Sequence, residues 1–171
     1  MKKFYLFFCV LLVASQISFA QKGNNQIGIG PEVDFPMGTF GDAYKVGFGG
    51  TVKGLLGVGQ SGQITLTLGY STFKGKSGTT GGYSYAGQTY NIIPYLLGYR
   101  NNFKAFYIEP QLGFASYTTK VTGFKETETR FTYALGAGYN IHSFDLGLRF
   151  QSHEGSSFLG ARIAYTINLK K

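Results

Sequence analysis

Eight charged side chains recur on the polar side of segments that alternate between apolar and polar residues: Glu32, Asp34, Glu109 and Asp145 against Lys53, Arg100, Arg149 and Arg162. With four of each sign on one face, mutual pairing is the economical arrangement, because an unpaired charge removed from water is costly. The same set could line a proton or solute path, although balanced charge argues against a selective pore, which uses a ring of one sign. A second constellation is Gln151-Ser152-His153-Glu154, in which a hydroxyl, an imidazole and a carboxylate adjoin as they do in nucleophilic catalysis. Adjacent residues on a strand point to opposite faces, so Ser152 and His153 are poorly placed to share a hydrogen bond. The two histidines, His142 and His153, lack metal-ligand spacing, and neither a metal nor a cofactor is expected. Gly28-x-Gly30 and Gly47-x-Gly49 are followed by no helix signal, which excludes phosphate loops.

The elements that would carry these residues are strands. Phe144 to Gln151 puts Phe144, Leu146, Leu148 and Phe150 on one face, and Asp145, Gly147, Arg149 and Gln151 on the other. The same period divides the chain into eight strands: Gln26 to Pro36, Lys45 to Leu56, Gln63 to Phe73, Thr89 to Arg100, Ala105 to Thr119, Thr129 to Tyr139, Phe144 to Gln151 and Phe158 to Leu169. The fourth is apolar on both faces through Ile92-Ile93-Pro94-Tyr95-Leu96-Leu97. Its phase is set with Tyr95, Leu97 and Tyr99 outward.

Ahead of the strands, Lys2 and Lys3, the apolar run Phe4 to Val13 and the small-residue site Ser18-Phe19-Ala20 form a secretory signal, expected to be cleaved after Ala20 following export by the Sec route. The run is shorter than the roughly 20 residues a membrane helix needs. Residues 21–171 then form one domain, and cleavage removes the sole cysteine, Cys9, and with it any thiol chemistry. The 26 glycines, 13 tyrosines and 16 phenylalanines, with only 14% charged residues, exclude a disordered chain. The formal charge of +8 comes largely from lysines dispersed among tails, turns and loops, which does not make a nucleic-acid surface.

Two asymmetries choose between a soluble and a membrane barrel. The polar face is small, built of Gly, Ala, Ser and Thr, whereas the apolar face carries the bulky residues. A narrow lumen needs small residues, and a wall against lipid has no volume limit. The connections also alternate: 37–44, 74–88, 120–128 and 152–157 are long, and the other three are short, as in transmembrane barrels with short inner turns and longer outer loops. Aromatic residues gather near strand ends, Tyr70, Tyr90, Tyr117, Phe131, Phe150 and Phe158 toward the loops, and Tyr99, Phe103, Phe106, Tyr139, Phe144 and Tyr165 toward the turns. Two interfacial bands are expected from them.

With this phasing, stretches such as Leu135-Gly136-Ala137-Gly138-Tyr139 and the closing Gly160 to Leu169, the chain resembles the small eight-stranded outer-membrane barrels of Gram-negative bacteria, of the OmpX and OmpA transmembrane-domain type. Members of that group typically end on an aromatic residue read by the barrel-assembly machinery. Here Leu169 takes that place, and Lys170 and Lys171 follow. The resemblance implies an eight-stranded antiparallel up-and-down transmembrane β-barrel in the outer membrane, assembled by that machinery and surrounded by outer-membrane lipids including lipopolysaccharide. It implies a non-enzymatic role in envelope structure or surface interaction, with a plugged polar lumen. The alternatives are a narrow channel for small solutes and a lipid A-modifying enzyme using His153 and Ser152. Lys74, Lys76, Tyr83 and Tyr85, in the flexible loop 74–88, are the candidate outside contact.

Overall fold

The computed structural model describes residues 24–80, 83–85, 88–121, 124–153 and 156–169. The signal segment 1–20 and the two terminal lysines lie outside the described residues. In chain order the elements are β1 (Gln26–Met37), α1 (Gly38–Ala43), β2 (Gly47–Val58), β3 (Gly62–Lys74), β4 (Gly78–Thr80), β5 (Tyr83–Tyr85), β6 (Thr89–Phe103), β7 (Phe106–Val121), β8 (Phe124–Ile141), β9 (Phe144–His153) and β10 (Ser156–Asn168). Eight of these strands close a barrel in the order β1-β10-β9-β8-β7-β6-β3-β2, and β4 and β5 form a separate hairpin. Every neighbouring pair in the barrel is antiparallel, and β1 joins β10 from Gln26↔Asn168 to Met37↔Ser157, so the wall has no seam.

Side-chain parity divides this wall into an apolar outside and a polar inside. Along β9, Phe144, Leu146, Leu148 and Phe150 are exposed, while Asp145, Arg149 and Gln151 are buried. The same holds around the circumference, with Ile29, Val52, Leu66, Leu97, Leu112, Leu135 and Ile163 outward. In β6, Tyr95, Leu97 and Tyr99 face out, and Leu96 and Arg100, of the opposite parity, are buried. Four prolines stand within the strands, and three of them coincide with a gap in the pairing ladder, Pro31 opposite β10, Pro94 opposite β3 and Pro110 opposite β6, while Pro36 near the end of β1 stays in register with Phe158. A proline offers no N–H to a ladder. Gly69 faces Pro94, where an added Cβ would come within 3.1 Å of the proline ring.

One end of the barrel carries the start of β1, the end of β10 and the tight turns. Gly59, Lys104 and His142 there have φ of 68°, 62° and 54°, the left-handed conformation that matches a short turn to strand twist. The other end is more ordered than its sequence suggests. The connection 37–44 contains α1, and 74–88 contains the β4–β5 hairpin. The span 120–128, expected as a loop, is instead mostly strand: β7 and β8 pair continuously to Val121↔Phe124. Glu126, Thr127, Glu128, Thr129 and Arg130 are polar on both faces and exposed on both, so no apolar alternation marks them as strand.

Candidate functional site: a charged lumen beneath an aromatic mouth

β2, β6, β7, β9 and β10 each turn charged residues into the lumen at neighbouring levels. Glu109 is the hub. Its Oε1 accepts from Lys53 Nζ at 2.7 Å, Thr65 Oγ1 at 2.8 Å and Gln111 Nε2 at 2.5 Å, and its Oε2 accepts from Arg100 Nε at 2.9 Å. Arg100 also donates to Asp145 Oδ2 at 2.9 Å, and Arg162 donates to the same oxygen at 2.7 Å. The Tyr107 hydroxyl donates to Asp145 Oδ1 at 2.5 Å, and the Arg100 guanidinium lies 3.6 Å above the Tyr107 ring. Added Cβ atoms on Gly138 and Gly147 would collide with the Tyr107 hydroxyl, so these glycines make room for it.

The eight charges are not matched one to one. Glu109 and Asp145 share Lys53, Arg100 and Arg162. Arg149 is thereby left to two acids, and it donates to Glu32 Oε1 at 2.6 Å. Asp34 is fully buried, and neither carboxylate oxygen has a hydrogen-bond partner among the described residues. It sits beside Glu32 over Gly160, where any Cβ would overlap both carboxylates. A cavity of about 20 Å³ separates the Glu109 cluster from the Glu32–Arg149 pair, lined by Thr51, Gln111 and Arg149 among others. That is room for about one water molecule.

Above the charges, toward the loop end, the lumen turns aromatic, which sequence parity was able to show and aromatic position alone was not. Tyr117 and Phe158, expected in an outer interfacial band, are buried with Phe40, Phe73, Ile92 and Ala115, and Tyr90 packs against them. Their positions share the inward parity of Ala115 and Gly160, so of the six residues expected in the band on this side Tyr70, Phe131 and Phe150 face outward. Phe40 comes from α1 and packs its ring 5.0 Å from Phe73 and 5.4 Å from Tyr90. Gly47 leaves space for Phe73, whose ring would stand 2.6 Å from an added Cβ. α1 is tied down by Lys76, whose amide donates to the Ala43 carbonyl at 2.8 Å and whose Nζ donates to the Gly41 carbonyl at 2.7 Å.

Of the Ser152-His153-Glu154 constellation, Glu154 lies outside the described residues. The His153 ring stacks 3.8 Å from Tyr117, whereas Ser152 Oγ shares a 2.8 Å hydrogen bond with Ser157 Oγ. Hydroxyl and imidazole therefore engage different partners on opposite faces of β9. His142 occupies the β8–β9 turn. Lys74 is exposed, Lys76 is engaged with α1, and Tyr83 and Tyr85 lie on β5 with side chains outside the described residues. Among the described residues no cluster of histidine, cysteine and acids could hold a metal.

A closed up-and-down barrel of eight antiparallel strands, apolar outside and charged inside, is the fold of the small outer-membrane barrels. Two solved structures illustrate it. Neisserial surface protein A matches with a TM-score of 0.59 at 11% identity over 85% of this chain and 97% of its own. Ail, the attachment invasion locus protein of Yersinia pestis, in complex with the heparin analogue sucrose octasulfate, matches with a TM-score of 0.55 at 12% identity over 85% and 99%. No family model and no curated protein matches the chain.

Proposed function

We propose that this protein is a non-enzymatic outer-membrane barrel whose lumen is closed by ion pairs and aromatic rings, and whose loop end serves as a surface for contact outside the cell. The carrying observation is the inversion of sidedness: bulky apolar residues cover the outer wall, while Lys53, Arg100, Glu109 and Asp145 are 5% exposed or less inside. A soluble barrel would bury the first set and wet the second. Closure of the eight strands also leaves the wall without a free edge strand, as hydrocarbon requires. The short-turn end, with the start of β1 and the end of β10, faces the periplasm on this reading, and the loops face outward among lipopolysaccharide molecules. Export through the Sec route and insertion by the barrel-assembly machinery complete the route to that membrane.

Closure is supported by the Glu109 network and by Phe40 seated among Phe73, Tyr90 and Tyr44. The separation of Ser152 from His153 supports the non-enzymatic reading over lipid A modification. Two measurements test the proposal together. The mature chain should fractionate with the outer membrane and migrate differently on a gel before and after boiling, and the purified protein should give no stable single-channel steps in planar bilayers. Recovery in the soluble periplasm without a mobility shift would refute the membrane reading, and stable steps would refute the closed lumen.

A further inference from the structure

On the outer wall, register aligns the side chains of neighbouring strands into rows that run across the barrel. One row is large throughout: Phe106, Tyr139, Leu146 and Ile163 stand side by side on β7, β8, β9 and β10. The next row toward the loop end is Ala137, Leu148, Ala161 and Val33, in which two of the four are alanines. Beyond it, the row Leu135, Phe150, Leu159 and Phe35 is large again. The low row makes a groove of about 550 Å³, lined by the first two rows and floored by Gly138 and Gly147, whose inward parity leaves bare backbone between them. Its lower end is at Phe106, the first residue of β7, and its upper end is at Pro31 and Val33, midway along β1. At a strand spacing of ~4.8 Å, the four steps from β7 to β1 span about 19 Å. The groove therefore climbs obliquely from the turn end into the middle of the wall.

At the lower end of the groove stands a cation. Lys104 occupies the β6–β7 turn two residues before Phe106 and is exposed. The β8–β9 turn lies beside it, since the Asn140 amide donates to the Ala105 carbonyl at 2.7 Å, and that turn carries the exposed His142. Among the described residues no acid is exposed at this end. We propose that the groove and Lys104 together bind one anionic phospholipid of the periplasmic leaflet, its phosphate on the lysine and one acyl chain in the groove, which rests on the membrane orientation proposed above. An apolar groove facing hydrocarbon gains from dispersion contacts alone, and a flexible chain fills it where a rigid surface leaves voids. A basic side chain at the interface adds attraction for an anionic headgroup. Lipopolysaccharide lies at the loop end on that orientation, away from Lys104. A second barrel is a poor occupant. Copies inserted the same way are related by an axis along the membrane normal, so an oblique ridge on one crosses the oblique groove of the other instead of lying in it.

The test uses the full mature chain, folded in mild detergent with equal amounts of phosphatidylglycerol and phosphatidylcholine, and counts retained lipid by native mass spectrometry. The expected result is one lipid per barrel, with phosphatidylglycerol favoured about fivefold, the factor that one interfacial lysine supplies. Lys104→Glu should abolish that preference. Ala137→Leu combined with Ala161→Leu fills the groove from the lipid side and should abolish retention of both lipids. Retention of no lipid, equal retention of the two, or parent behaviour in either variant would overturn the site. Preference for added lipopolysaccharide over phosphatidylglycerol would move the site to the other leaflet, and dimers in place of bound lipid would give the groove to a second copy, and either result would overturn it too. Gel mobility of the same sample reports barrel formation, so a folded barrel without bound lipid refutes the groove alone, and an unshifted band refutes the membrane reading.

Discussion

At the scale of single residues, the structure turns on Glu109. Its carboxylate is buried and holds Lys53 and Arg100 at once, two cations brought from β2 and β6. Removing one partner of such a set leaves uncompensated charge in a dry interior, which costs about 3–5 kcal/mol. Glu109→Ala is therefore expected to lower the urea midpoint of the detergent-folded protein markedly, read as the boiling-sensitive gel band. Glu109→Leu combined with Lys53→Met should recover part of the loss, because the two deletions share one interaction. His153→Ala should leave lipid A composition unchanged while costing only about 1 kcal/mol of stability from the lost ring stacking. A change in lipid A acylation would restore the enzymatic reading. All eight inward charges were legible in the sequence because strand parity fixes the face. Their partners were not, because Lys53 and Glu109 meet across the lumen and only the stagger of the closed barrel sets which levels coincide.

At the scale of elements, α1 is the piece that finishes the mouth. Phe40 is 4% exposed and touches three other rings, so Phe40→Ala should cost about 3 kcal/mol of packing. It should also open the loop end: a cysteine placed at Ala115, buried beneath Phe40, should react with a small water-soluble thiol reagent faster in the Phe40→Ala background than in the parent. Equal rates would show that α1 does not seal the lumen. Little of this mouth was legible. The segment Met37 to Tyr44 has turn residues and no helical periodicity, and α1 is a single short helix supported by backbone contacts with the 74–76 segment. Nearness to strand ends puts Tyr90, Tyr117 and Phe158 in an interfacial band, whereas their parity with neighbouring lumen residues places them inside. The upper β7–β8 hairpin escaped recognition for a different reason, since a strand solvated on both faces has no apolar period to read.

At the scale of the whole molecule, the eight-stranded closed architecture was legible almost throughout, because each strand carries a two-residue period and each change of phase falls at a turn. The central claim is that the apolar face meets lipid. It is tested most directly along β9, with single cysteines placed in turn at 144 to 150 in the mature chain, spin-labelled and reconstituted in lipid vesicles. Accessibility to oxygen, which concentrates in hydrocarbon, should peak at Phe144, Leu146, Leu148 and Phe150 and fall at Asp145, Gly147 and Arg149. A flat profile, or an alternation of opposite phase in which the even positions are shielded and the odd ones meet a water-soluble paramagnetic reagent, would contradict the membrane barrel.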